Sequence, residues 1–216
     1  MADLKADDVD SQMAELFDAY FAILEPDLPG MRQEIERRAQ ALVEARGDLL
    51  VDGAARYNVH MSAVLLATYN LLRERMPGAE AVEKVKHAFL DPMREGIRHG
   101  MTAALDQAPD PFSLIVEISK SNEEQRYGAS FDFVRERDDE DAYLLEIRRC
   151  AYNDVLRGAG APELVPVFCE FDRSWIEAID PDRHGFAFDR PTTLAAGHGS
   201  CGFHWRRTRP ASAGDD

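Results

Sequence analysis

The run DQAPDPFSLIVEISKSNEEQRYGASFDFVRERDDEDAYLLEIR, residues 106–148, decides the fold, because the hydrophobic period changes inside it. Asp106–Phe112 carries two prolines and interrupts whatever precedes it. Beyond it, SLIVEIS (113–119), GASFDFV (128–134) and AYLLEIR (142–148) are short and rich in β-branched or aromatic residues, with the polar stretches KSNEEQR and RERDDED between them. They are expected to form an antiparallel meander. Upstream, the period is helical. Met31, Ile35, Ala39, Leu42, Val43 and Leu49 mark one amphipathic helix, and Val59, Ala63, Leu66 and Leu72 a second that stops at Pro77-Gly78. Val82, Val85, Phe89, Met93, Ile97 and Met101 mark a third, in which Asp91-Pro92 predicts a kink or a fresh helix start.

Downstream, a short helix after Arg149 ends at RGAGAP, and a longer one is expected over 162–179 with the stripe Leu164, Phe168, Phe171, Trp175 and Ile179. HGFAFDR (184–190) and CGFHWRR (201–207) alternate like strands. The expected fold class is α+β: a helical N-terminal lobe (1–110) packed on an antiparallel sheet of roughly five strands (within 111–207), with the 162–179 helix lying across the sheet. Residues 208–216 read as a disordered tail.

Composition narrows the function. The 216 residues are 45% hydrophobic and 30% charged, as in a globular protein. The formal charge of −15 repels nucleic-acid phosphates and anionic membrane surfaces, which removes both from the expected partners. No apolar run suits a membrane span and the acidic N-terminus is not a signal peptide, so a cytoplasmic location is expected. Three cysteines, Cys150, Cys169 and Cys201, have no C-x-x-C pairing and read as reduced thiols. Zincin, Walker and Rossmann motifs are absent from the sequence.

Several residues invite chemistry. Cys150 stands where a strand hands over to a helix, so exposed amides there would favour its thiolate, with Arg148 or Arg149 adding positive potential. Cys169 and Asp172 lie one turn apart on a single helix face, and burial would lift the aspartate toward acid–base use. Cys201 shares a strand face with Phe203 and Trp205 and reads as core or pocket wall. GHGS (197–200) offers close backbone amides, the Ser200 hydroxyl and His198 as a general-base candidate, although a solvated turn and loop histidine are the commoner case.

The runs RRCAYNDVLRGAGAPELVPVFCEFDRSWIEAI (148–179) and FDRPTTLAAGHGSCGF (188–203) resemble the L-2-amino-thiazoline-4-carboxylic acid hydrolase family, itself similar to 4-vinyl-reductase-like small-molecule-binding domains. The pattern is carried by Arg149-Cys150, Pro162-Glu163-Leu164, Cys169 with Asp172, Thr193-Leu194-Gly197, and Cys201 with Phe203. The family commonly places an acid where this chain has Gly202. The resemblance implies a hydrolase that opens a small cyclic amidine or amide at a C–N or C–S bond. Cys150 would be its nucleophile and Asp172 its acid–base group. Cys169, Cys201 and His198 would be further catalytic candidates. Gly197 and Ser200 would stabilise charge, and one of Arg149, Arg190 or Arg206 would hold the substrate carboxylate. That chemistry requires no cofactor. A zinc site made of the cysteines with His198 or Asp172 stays open as a rival, as do a non-catalytic sensor of small ligands and a homo-oligomeric or assembly role.

Overall fold

The computed structural model describes residues 6–208, with side chains from Glu15 onward. Of the expected tail at 208–216, residues 209–216 lie outside the described residues, while the Thr208 amide donates to the Gly185 carbonyl at 2.9 Å. Four helices form the first half: α1 (Ala6–Leu24), α2 (Arg32–Ala45), α3 (Gly53–Arg73) and α4 (Gly78–Gln107). Asp52 caps α3 by accepting a hydrogen bond from the Ala55 amide at 2.6 Å. No fresh helix start occurs at Pro92, since α4 continues through it. The flanking Ala88, Phe89 and Leu90 are all buried, and this packing offsets the one helical hydrogen bond that proline removes.

SLIVEIS is a helix, not a strand. It lies in α5 (Pro111–Asn122), and this is why the sheet has four strands and not five. Its apolar residues satisfy both periods, and the local start signal decides between them: Asp110 caps the helix, receiving the Ser113 amide and hydroxyl, and Pro111 takes the first turn. Buried Phe112, Ile115 and Val116 then fall at helical spacing. KSNEEQR is likewise no simple turn, because α5 passes into a single π-helical turn over Glu123–Tyr127.

The strands β1 (Asp132–Asp138), β2 (Ala142–Arg149), β3 (Phe186–Asp189) and β4 (Cys201–Arg207) form an antiparallel sheet in the order β1-β2-β4-β3. Between β2 and β3 lie α6 (Ala151–Gly158), α7 (Val165–Phe171), α8 (Arg173–Ile176) and α9 (Pro181–His184). The single helix expected across the sheet is therefore interrupted, with a 3-10 turn at Pro162–Leu164 and a second break at Asp172. The segment serves two hydrophobic clusters. Val165, Val167 and Phe168 join the cluster of α1–α4 and α6, while Trp175 and Ile179 pack on the cluster built from α5 and the sheet. No described helix is long and apolar enough to cross a membrane.

Candidate active site

A hollow of about 350 Å³ lies where the two clusters meet. One wall is the inner face of the sheet. The register pairs Leu145 with Phe203 and Ile147 with Cys201, so period-2 alternation sends all four side chains to the same side, and all four line the hollow. Met61 of α3 and Phe89 and Met93 of α4 line the opposite wall. Into this apolar setting project Asp172, Arg190, Arg126 and the three thiols.

Asp172 and Arg190 form a half-buried ion pair, with Arg190 Nη1 3.0 Å from Asp172 Oδ2. The same Nη1 reaches the Cys169 carbonyl at 3.3 Å, and the guanidinium carbon sits 4.5 Å from the centre of the Phe203 ring. Trp175 Nε1 donates to the other carboxylate oxygen at 3.3 Å. Burial raises the Asp172 pKa above its ordinary value, and the Arg190 charge and the donated hydrogen bonds only partly offset this. Arg190 Nε is buried with no partner among the described residues.

The thiols share the hollow but not the reactivity expected of Cys150. Cys150 is indeed the N-cap of α6, and the Tyr152 and Asn153 amides pull its pKa down. Burial outweighs them and pushes the thiol up to about 12. The resting thiolate expected from the sequence is thus corrected to a protonated thiol. Burial likewise raises Cys169 to about 11, against the neighbouring Arg190. Cys201 is buried in the wall, where its sulfur accepts the Leu194 amide at 3.1 Å.

Other candidates lie elsewhere. Arg149 turns away to donate to the carbonyls of Ala129 and Ser130, and Arg206 is exposed on the opposite face of β4 from Cys201, Phe203 and Trp205. His198 stands in an exposed loop, bonded back to Thr193. The amides of Gly197 and His198 are committed to the carbonyls of Leu194 and Thr193, and residues 197–200 are not among those lining the hollow. Ser200 donates to Glu146 Oε2 at 2.5 Å, and His204 contacts Glu146 Oε1 at 2.9 Å, both on the outer sheet face. Gly202 lies opposite Glu146 on that face, so the acid common at this position would point away from the hollow. No group of three His, Cys, Asp or Glu side chains among the described residues is arranged to hold a metal ion.

The sequence reading missed the π-helical turn. It places Glu123, Arg126 and Tyr127 along the hollow, and such turns recur at functional sites because the extra residue redirects side chains. Glu123 is satisfied, since Arg135 Nη2 lies 2.9 Å away and the Tyr143 hydroxyl donates to it. Arg126 lines the hollow from an exposed position, and no carboxylate lies within 4.0 Å of it among the described residues. The only signal in sequence is the charge and aromatic density of EEQRY directly after an apolar run.

A small α+β domain with an apolar hollow, one buried ion pair and a few convergent polar groups is the architecture of a small-molecule site. The sequence model for L-2-amino-thiazoline-4-carboxylic acid hydrolase matches residues 57–205, a stretch that spans every residue named above as lining the hollow. The chain belongs to that family. No curated protein and no solved structure matches it.

Proposed function

We propose that this protein hydrolyses a small cyclic amidine or amide in the hollow, with Asp172 carrying the proton and Arg190 positioning it. The observation that supports the reading most directly is the Asp172–Arg190 pair set in an apolar space of ligand size. A carboxyl lifted by burial is suited to accept a proton and return it within one turnover. Water attacks the electrophilic ring carbon while Asp172 takes its proton, forming the new C–O bond. The C–N or C–S ring bond then breaks as Asp172 delivers that proton to the leaving atom. The net change is addition of one water and opening of the ring.

Water is preferred to Cys150 as the attacking group because a thiol with a pKa of about 12 is almost wholly protonated near neutrality. Turnover of 2-aminothiazoline-4-carboxylate and of related thiazolines and cyclic amides provides the test. Asp172→Asn should reduce kcat about 10²–10⁴-fold, while Cys150→Ser should cost less than about tenfold. The opposite ranking would transfer the chemistry to the thiol. Tight binding of every ring tried, without conversion, would make the protein a holding or sensing module instead.

A further inference from the structure

We infer that Arg126 is the anion anchor of the hollow, and that the preferred ligand is a carboxylate carrying an apolar body larger than a bare five-membered ring. This deepens the hydrolase reading and rests on it only for where the substrate sits.

The pairing of the charged groups points to an anion. Of the acids lining the hollow, Glu123 is matched by Arg135 and Asp172 by Arg190. Arg126 is the lining cation with no carboxylate within 4.0 Å among the described residues. It shares the lining of the hollow with Tyr57, Tyr127 and Tyr152, and its guanidinium carbon lies 5.8 Å from the centre of the Phe171 ring. Burial holds the phenols of Tyr127 and Tyr152 above their ordinary range, so neither supplies a negative charge near neutrality. The formal charges lining the hollow cancel, but with Glu123 paired to Arg135 and Asp172 to Arg190 the Arg126 guanidinium is the lining group left to meet an anionic ligand, inside a chain of formal charge −15. Arg190, by contrast, is already engaged by Asp172, and recruiting it would cost the proton carrier its partner.

The walls set the rest of the ligand. A nine-atom ring acid occupies on the order of 160 Å³ at protein packing density, less than half of the roughly 350 Å³ present. Much of the remaining wall is aromatic: Trp175 stacks with Trp205 at 5.9 Å and with Phe203 at 6.3 Å, and Phe89 lies 5.4 Å from Phe168. Such surfaces gain from contact with an apolar group and nothing from a hydrated one.

The probes are 2-naphthoate, its neutral isostere 2-naphthamide, and acetate, titrated into the full chain while following quenching of Trp175 and Trp205 and, independently, calorimetry. In the parent protein 2-naphthoate should bind at least about tenfold more tightly than 2-naphthamide and acetate, as expected for a charge-assisted pair plus apolar burial. Arg126→Gln should bring the naphthoate-to-naphthamide ratio close to one while leaving naphthamide affinity within about threefold. Arg126→Lys, which keeps the charge, should retain a preference for the acid, and it decides the matter if Arg126→Gln does not fold. An equal affinity for acid and amide in the parent, or a ratio unchanged in a folded Arg126→Gln, overturns the assignment. Because these measurements read binding alone, they stand or fall separately from turnover.

Discussion

Substituting Gly202 tests whether the acid common at this position belongs to the reaction or to the sheet. A Cβ on Gly202 would lie 3.2 Å from each of Glu146 Oε1, His204 Nε2 and Pro191 Cγ. β4 is held between β2 and β3, so the backbone has little room to retreat. Overpacking of this kind costs about 1–3 kcal/mol, and in a protein of this size each kcal/mol lowers Tm by about 2–4 °C. Gly202→Ala should therefore lose roughly 2–12 °C. Gly202→Asp adds a second carboxylate beside Glu146. Burial pushes the Glu146 pKa up, but hydrogen bonds from Ser200 and His204 outweigh it and keep the group ionised. Two half-buried carboxylates about 4–5 Å apart repel by several kcal/mol at an effective dielectric near 20, a penalty that vanishes when one is protonated. The aspartate variant should consequently lose more Tm than the alanine variant at pH 8 and about the same at pH 4, and Glu146→Gln should rescue it. Differential scanning fluorimetry across pH, run beside turnover, reads all of this. A Gly202→Asp protein as stable as the parent at pH 8, or one that changes turnover while keeping its Tm, would refute both the packing argument and the claim that this acid faces away from the hollow.

Further outcomes follow from the buried groups. With its pKa near 12, Cys150 should be alkylated by iodoacetamide at pH 8 about a thousandfold more slowly than a free cysteine, read by mass spectrometry after digestion; rapid labelling would show a thiolate. Asp110→Ala should destabilise by about 1–2 kcal/mol, since Asp110 both caps α5 and holds Arg207 Nη1 at 3.0 Å. The Arg207 guanidinium holds Asp110 down to about 2. Its stabilisation is thus complete above the ordinary carboxylate range and lost as pH falls toward 2, about 1 kcal/mol after allowing for an exposed carboxylate. Asp172 carries the opposite sign. Its raised pKa means that stability declines as pH climbs from the ordinary carboxylate range through the folded value, a slope that Asp172→Asn should remove in denaturant titrations at several pH values.

How far the sequence could be read depended on whether a residue's role was local. β2 and β4 were legible because alternation by itself specifies which side chains face inward, and Cys201 could be assigned to the wall alongside Phe203 and Trp205 from that rule alone. Cys150 was correctly placed at the start of α6, yet its ionisation was misjudged, because helix amides are local while burial depends on the distant segments that close over the thiol. The same distinction separates the arginines. Arg149, Arg190 and Arg206 are indistinguishable in sequence, and only tertiary packing commits them to the 129–130 carbonyls, to Asp172 and to solvent respectively. Arg126 was invisible for a further reason, since a π-helical turn has no strong sequence signature and KSNEEQR carries the composition of a loop.

The break at Asp172 connects fold and function. The stripe of the 162–179 segment reaches both clusters, with Phe168 in the helical one and Trp175 packed on the one built from α5 and the sheet. The interruption between α7 and α8 is confined to Asp172, whose backbone stays helical at φ −61° and ψ −28°, and its carboxylate lines the space between the clusters. Arg190, arriving from the end of β3, neutralises it there and also takes the Cys169 carbonyl just before the break. The ion pair therefore ties the end of β3 to the α7–α8 segment, and Arg190→Met should show it: a loss of stability, because Asp172 would be left buried and unpaired, together with a further rise of the carboxyl pKa that moves the ascending limb of the pH–rate profile to higher pH. Lost activity with an unmoved profile would mean that Arg190 does not tune Asp172 and that the pair is structural alone.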